Sequence, residues 1–457
     1  MTGDLVLSAR TLDRLPASVA RPGPRSGEAP GIVHLGAGAF HRAHQAVHTE
    51  EAGDGWGILA VSPRNPAAAE ALSTQDGYFS VTEQDGHGSR LGVVGSIVSA
   101  LALPGREAEL TAAVAAPSTR VVTLTITEQG YADRSVLRHL LTGLLARLDA
   151  GGEPLAIVAC DNLRNADRLL PRALDELARE LDPGRYRALA DYLGTVGFPS
   201  SVVDRITPAT SPDDLAAVAA RLGVADRAAV VTEPYRMWVL TDEFPAGRPK
   251  WENAGVSFVA EVEPYEQRKL RLLNGTHSAL AYLGQLGDHA TIADAVADPW
   301  CAGFARALAA TDLVPALTAR HPDIEAGQYL ETTLARFANP ALRHTTEQVS
   351  RDGSRKLPLR LLDTVRERLA AGAVPVHTIT VVAAWLAFAR HGRSDSGRAL
   401  AVTDPELFRL RGADLPAVCA LLGAADLAED PRFLDVLGEQ LALITRHGAR
   451  AAVADLL

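Results

Sequence analysis

Between residues 31 and 159, short apolar runs rich in β-branched residues alternate with amphipathic stretches. The runs 31–35, 57–61, 121–126 and 155–159 are bounded by glycine, proline or polar turns, as buried parallel strands are. Helical periodicity fills 40–51, 67–73 and 136–149 between them. Alternation of this kind predicts an α/β sheet with helices on both faces. Beyond residue 262 long Ala/Leu-rich segments with a 3.6-residue period occupy 268–284, 302–320, 362–371, 377–391 and 432–446, and strand signals become sparse. The pattern therefore predicts an α/β domain over 1–262 followed by a mostly α-helical domain over 263–457. Residues 18–30 are rich in proline, glycine and serine and predict an irregular arm. The two prolines and two glycines of 242–256 predict an irregular approach to the domain boundary.

Size agrees with two domains, because 457 residues exceed what one compact core ordinarily serves. A hydrophobic share of 47% and a charged share of 22% are those of an ordinary soluble protein. The formal net charge of -10 argues against a nucleic-acid partner, which needs a basic face, and weakly against an anionic membrane surface. The three cysteines, Cys160, Cys301 and Cys419, are widely spaced with no Cys-x-x-Cys pair, so neither a disulfide framework nor a structural zinc site is signalled. The first ten residues lack a charged and then apolar leader, and no run reaches the eighteen apolar residues of a spanning helix. The expected setting is the cytoplasm, as a monomer or small homo-oligomer.

Two segments carry candidate chemistry. In 266–283 a lysine, an amide and an imidazole sit at helical spacing inside an apolar run. In α-helical geometry Asn274 lies about 140° and His277 about 80° around the axis from Lys269, so the three fit within one arc. A lysine on such a face is solvated, paired or used. In a closed cleft desolvation lowers its pKa toward neutrality, as a general base for an alcohol proton requires, and the Asn274 amide then donates to the substrate oxygen as charge builds there. The competing account is a surface helix with a snorkelling lysine and a capping asparagine.

The second segment is the turn after the first strand. Gly36 and Gly38 stand between a predicted strand and a predicted helix, where glycines let the backbone approach a pyrophosphate. The third glycine of the usual fingerprint is replaced by His41, so the pattern alone is weak and also suits a plain tight turn. After the second strand no carboxylate appears for a ribose; Arg64 stands there instead, able to meet a 2′-phosphate, stack on an adenine or face water.

The run from Gly36 to Gln45 and the Lys269-x4-Asn274-x2-His277 spacing together resemble the mannitol dehydrogenase family of long-chain polyol and sugar-acid dehydrogenases. Further segments fall in the family's order: Thr127-Glu128-Gln129-Gly130-Tyr131, Cys160-Asp161-Asn162-Leu163, Val203-Asp204-Arg205-Ile206, Phe244-Pro245-Ala246-Gly247-Arg248-Pro249 with Trp251, and Asp352-Gly353-Ser354-Arg355-Lys356-Leu357-Pro358. The resemblance implies a Rossmann-like NAD(P)-binding domain, a helical substrate and catalytic domain, an active site in the cleft between them, and no metal. It implies NAD as cofactor, with NADP open because Pro66 and Ala67 replace acidic residues, and it implies that Gly36, Gly38, Ala39, Phe40 and Arg64 contact it. Lys269 becomes the general base, Asn162 and Asn274 hold the oxyanion, His277 orients the substrate or the lysine, and Glu128 resembles the glutamate through which the lysine exchanges its proton. Asp204, Gln348 and Lys356 become substrate-binding positions.

Gln348 stands where mannitol 2-dehydrogenases have an arginine, and the segment from Gln348 to Arg360 is closer to the fructuronate reductase (D-mannonate oxidoreductase) branch. Gln129 departs from that branch's lysine, and the stretch from Tyr131 to Cys160 is shorter than expected. The implied substrate is D-mannonate/D-fructuronate first, D-mannitol/D-fructose second and a phosphorylated hexitol third. Tyr265-x3-Lys269 matches a short-chain dehydrogenase pattern but lies too far from the glycine turn, and the cysteines lack zinc alcohol dehydrogenase spacing. A nucleotide-binding regulator without chemistry is the remaining alternative, disfavoured by the intact Lys-Asn-His set.

Overall fold

The computed structural model describes residues 5–25, 29–161 and 165–457, with the side chains of 127–129 excepted. The chain forms two compact units, 1–262 and 263–457.

The first unit is built on a five-stranded parallel sheet of β1 (Ile32–Leu35), β2 (Ile58–Ser62), β5 (Ile97–Ala102), β6 (Val121–Leu124) and β7 (Ala156–Ala159), in the order β5-β2-β1-β6-β7. Ile32 stands opposite Ile58 on one side and Val121 on the other. β1, β6 and β7 are buried throughout, which is why their sequences are unbroken apolar runs rather than alternating ones. The strand order reverses between β1 and β6, where open α/β sheets leave a crevice at the carboxyl ends of their strands.

β5 was absent from the sequence pattern. It follows the hairpin of β3 (Phe79–Gln84) and β4 (Ser89–Val94) after only Gly95 and Ser96, so three strands run together as one alternating stretch. β9 (Val230–Thr232) joins β3 to complete a small mixed sheet, and β8 (Ser201–Asp204), β10 (Met237–Leu240) and β11 (Ser257–Phe258) form another. The single helix expected over 40–51 is two, Ala39–Ala43 and Gln45–Ala52. The chain breaks at His44 (φ -124°, ψ -85°), whose Nε2 bonds the Met237 carbonyl at 2.9 Å.

Arg147, on the helix Ser135–Asp149, is a buried brace of this unit. Its guanidinium donates to the carbonyls of Glu153 (2.7 Å), Val114 (2.9 Å), Ala116 (2.7 Å) and Pro154 (3.4 Å), tying the end of the helix Glu107–Ala115 to the approach to β7. Arg147→Met keeps the aliphatic stem but strands these carbonyls. The expected loss is about 3 kcal/mol of unfolding free energy, read as a lower urea midpoint.

The second unit is helical. Its central helix Val376–His391 buries Trp385 and Phe388 and packs against Thr276–Leu286 and Pro431–His447. Three π-helical turns interrupt its α-helices: Lys269–Gly275, Ala309–Leu313 and Pro358–Leu362. They converge on Gly275, where an added Cβ meets Leu361 at 3.2 Å and Leu313 at 3.5 Å, one residue from each of the other two turns. Among the described residues no helix is long and apolar enough to cross a membrane.

Candidate active site

The glycine turn sits at the strand-order reversal, and its geometry requires glycine. Gly36 has φ +116°, and a Cβ there falls 2.3 Å from the Thr125 carbonyl oxygen beyond β6. The turn is pinned by His34 of β1, whose Nε2 lies 2.9 Å from the Gly36 carbonyl while Nδ1 lies 2.7 Å from Thr123 Oγ1. Thr125 Oγ1 donates to the same Gly36 carbonyl at 2.8 Å. Burial lowers the His34 pKa to about 3, so it is a neutral hydrogen-bonding strut at working pH.

Gly38 is different. Its φ is ordinary (-76°), and a Cβ on it has only the Gly36 carbonyl oxygen within 4 Å, at 3.8 Å. It lines a cavity of about 1190 Å³ together with Gly36, Ala39, Phe40 and Arg64. A glycine held by its own strand pairing, a second glycine left open to the cavity, and a helix starting at Ala39 fit a dinucleotide pyrophosphate. The missing third glycine also has an explanation. His41 stacks flat on His34, with ring centroids 3.4 Å apart and planes 10° apart, so helix and strand meet through two rings rather than through bare backbone.

The lysine helix departs from the expected geometry. Residues 269–275 form a π-helix, so the arc of about 140° calculated for an α-helix does not apply. With bonds from i to i+5, Asn274 lies about one turn beyond Lys269, on nearly the same face. His277 follows on the α-helix Thr276–Leu286, three residues past Asn274 and again on that side. Return from π to α spacing leaves carbonyls short of donors. Side chains supply them: Thr276 Oγ1 donates to the Leu272 carbonyl, and Ser278 Oγ donates to that of Asn274 at 3.0 Å. Lys269 and Asn274 are partly exposed, whereas His277 is buried.

His277 is sandwiched by rings, stacked on Phe337 at 4.5 Å and tilted against His344 at 4.9 Å. Burial, reinforced by the positive surroundings of His344, Arg360, Lys356 and Arg336, holds its pKa well below the usual imidazole value. It is a neutral ring able to donate or accept one hydrogen bond, not a proton reservoir near neutral pH.

Lys356 lies on the helix Gly353–Leu357, and its start is fixed by packing. A Cβ on Gly353 would fall 2.2 Å from Trp385 Nε1 and 2.5 Å from the Tyr282 hydroxyl. Gln348 is exposed on the helix Thr346–Ser350, its backbone N–H capped by Thr345 Oγ1 at 3.1 Å. Asp204 ends β8 and is buried, opposite Met237 on β10. Its neighbour Arg205 pairs with Glu83 at 2.5 Å and donates to the carbonyls of Glu233 and Ala43. Asn162 lies outside the described residues. Glu128 belongs to the helix Thr127–Asp133 beyond β6, and its side chain lies outside the description.

The structure adds three neighbours of His277 and Asn274 to the residues expected from the sequence: His344, Arg360 and Ser278. Arg360 Nη1 reaches Ser278 Oγ at 3.0 Å and the Asn274 carbonyl at 3.5 Å across 86 residues of sequence. No local spacing announces such a contact, although Ser278, four residues from Asn274, stands at helical spacing from it.

These features are those of a dinucleotide-linked oxidoreductase of the α/β class. A family model described as the mannitol dehydrogenase Rossmann domain matches residues 30–253, and one described as the mannitol dehydrogenase C-terminal domain matches 261–425. The chain belongs to the mannitol dehydrogenase family. It is 38% identical to the D-mannonate oxidoreductase of Escherichia coli (strain K12), over 93% of this chain and 95% of the relative. It is 35% identical to a mannitol 2-dehydrogenase of Cereibacter sphaeroides, over 96% and 99%. Among solved structures, the ternary complex of Pseudomonas fluorescens mannitol 2-dehydrogenase with NAD and D-mannitol matches with a TM-score of 0.83 at 30% identity, covering 99% of each chain. A D-sorbitol dehydrogenase in substrate-free form matches with a TM-score of 0.88 at 28% identity, covering 98% of this chain and 100% of that one.

Proposed function

We propose that this protein interconverts a secondary alcohol of an open-chain sugar acid and its ketone with NAD, D-mannonate and D-fructuronate being the first pair to test. The observation that carries the chemistry is the π-turn, which presents Lys269 and the Asn274 amide one turn apart beside a neutral His277. Lys269 takes the hydroxyl proton in oxidation and returns it in reduction. Asn274 donates to the substrate oxygen as negative charge develops, and Asn162 is assigned the same task. His277, neutral and wedged between Phe337 and His344, orients a hydroxyl or the lysine without competing for the proton. Glu128 is assigned the relay of that proton to solvent, and Asp204, Gln348 and Lys356 the remaining substrate contacts. NAD, when bound, supplies the hydride acceptor; Gly36, Gly38, Ala39 and Phe40 hold its pyrophosphate end and Arg64 its adenosine end.

The 38% identity with a D-mannonate oxidoreductase supports the sugar acid as substrate. The 35% identity with a mannitol 2-dehydrogenase supports D-mannitol/D-fructose as the second reading. Following NADH and NADPH consumption with D-fructuronate, D-tagaturonate, D-fructose and D-fructose 6-phosphate decides between them. No reduction of any of the four overturns the enzymatic reading.

Cofactor choice is testable on its own. The wall after β2 consists of Ser62, Pro63, Arg64 and Asn65 with no carboxylate, so nothing there repels a 2′-phosphate. The expected outcome is measurable activity with NADPH. Arg64→Ala should lower kcat/KM for NADPH by about 10-fold and that for NADH by less than about threefold, because only the phosphate gains a charge-assisted bond from the guanidinium.

A further inference from the structure

The helical unit holds two half-buried cations with no acid within ion-pairing distance among the described residues. Lys356 makes a single polar contact, from Nζ to the Val349 carbonyl at 3.4 Å. Arg360, on the π-turn that follows directly, bonds only to Ser278 Oγ and the Asn274 carbonyl. Among the described residues neither lies within ion-pairing distance of an acid, although other arginines of this unit do, as Arg271 does with Glu367 at 2.5 Å. Asp352 and Asp404 act on Lys356 from farther away, and Asp404 is committed to the backbone N–H groups of Ser354 and Glu406. Burial and mutual repulsion bring Lys356 down to about 8, and burial lowers Arg360 as well. Desolvated charges are ordinarily paired, because leaving them unpaired is costly. Beside them stands a second unsatisfied group: His277 is 8% exposed, and its Nε2 is buried without a hydrogen-bond partner.

We propose that Lys356 and Arg360, with His277 beside them, form a subsite for the carboxylate of an open-chain sugar acid, Arg360 being the specificity-determining residue that the family motifs did not single out. It rests on the sugar-acid reading above. A guanidinium offers a planar fork of N–H groups that matches a carboxylate, while Lys356 adds a point charge. Arg360 Nη1 meanwhile reaches the backbone of Asn274, so the group that recognises the anion also steadies the turn that carries the oxyanion donor. A neutral polyol gains the second effect and not the first.

The test compares wild type, Arg360→Met, Arg360→Lys and Lys356→Met on D-fructuronate and D-fructose, with a direct binding readout from the thermal shift given by D-gluconate or its neutral counterpart D-sorbitol. Arg360→Met should raise KM for D-fructuronate by about 30-fold or more and KM for D-fructose by less than about threefold, since only the anion loses a charge-assisted contact, while the loosened turn lowers kcat on both substrates by a similar factor. Arg360→Lys should recover part of the loss. In wild type D-gluconate should raise the melting temperature more than D-sorbitol does, and that difference should vanish in Arg360→Met. Where Arg360→Met does not fold, Lys356→Met is read by the same two measurements. Equal losses on acid and neutral substrates, or equal shifts from D-gluconate and D-sorbitol in wild type, overturn the subsite. Wild type that reduces D-fructose but not D-fructuronate, yet keeps the Arg360-dependent D-gluconate shift, overturns the substrate reading and leaves the anion subsite standing.

Discussion

Lys269→Ala is expected to lower kcat by about 10³-fold, within the range that a positioned acid–base group contributes, while leaving NAD affinity within about threefold. The two effects separate because the dinucleotide cavity is lined entirely by residues of the first unit, whereas Lys269 belongs to the second. Folding should change little: Lys269 is only partly buried, and alanine is the best helix former. Lys269→Arg is not a conservative rescue, since a guanidinium stays protonated and cannot accept the hydroxyl proton. Small primary amines added to Lys269→Ala should restore part of the rate, in proportion to their free-base concentration. Steady-state kinetics and a titration of NADH fluorescence measure both sides. Unchanged turnover removes Lys269 from the chemistry; lost cofactor binding points instead to a structural role for the π-turn.

The sheet was legible because β1, β2, β6 and β7 are short apolar runs separated by amphipathic helices, a signal that burial on both faces of a parallel sheet imposes on the sequence. β5 was not, because it follows the β3–β4 hairpin after only two residues and only Ile97 and Leu101 of its six residues, Ile97-Val-Ser-Ala-Leu-Ala102, are buried. Local spacing also missed the π-turn. Its cause is tertiary: Leu313 and Leu361 close on Gly275, and hydroxyls at Thr276 and Ser278 satisfy the displaced carbonyls. The five-residue interval from Lys269 to Asn274 falls on a π-turn and not on the α-helix expected from the sequence, which sets the two positions about one turn apart. His344 and Arg360 were invisible because each meets the site across tens of residues. A half-buried cation without an acid beside it is a property of packing, and only the folded chain displays it.

Gly36→Ala is the second large effect, and Gly38→Ala is its control. At Gly36 the left-handed φ of +116° costs an L-residue about 1–2 kcal/mol. The new methyl also falls 2.3 Å from the carbonyl oxygen of Thr125, a residue held just beyond β6 by its N–H donating to the Leu35 carbonyl at 2.9 Å, and overpacking of this kind adds about 1–3 kcal/mol. Relief requires the turn to leave the His34 and Thr125 bonds that pin its carbonyl. Both the stability of the first unit and NAD affinity should therefore fall, the former by about 3 kcal/mol in urea unfolding. Gly38 has an ordinary φ and open space around its missing Cβ, so Gly38→Ala should unfold like wild type and yet bind NAD about 10-fold more weakly, its methyl standing where the pyrophosphate approaches the backbone. Equal affinity for NAD in Gly38→Ala and wild type would show that the cofactor's phosphates lie elsewhere in the cavity. Wild-type stability in Gly36→Ala would show that the turn yields without cost, and the strand-end geometry would then not be what holds the site.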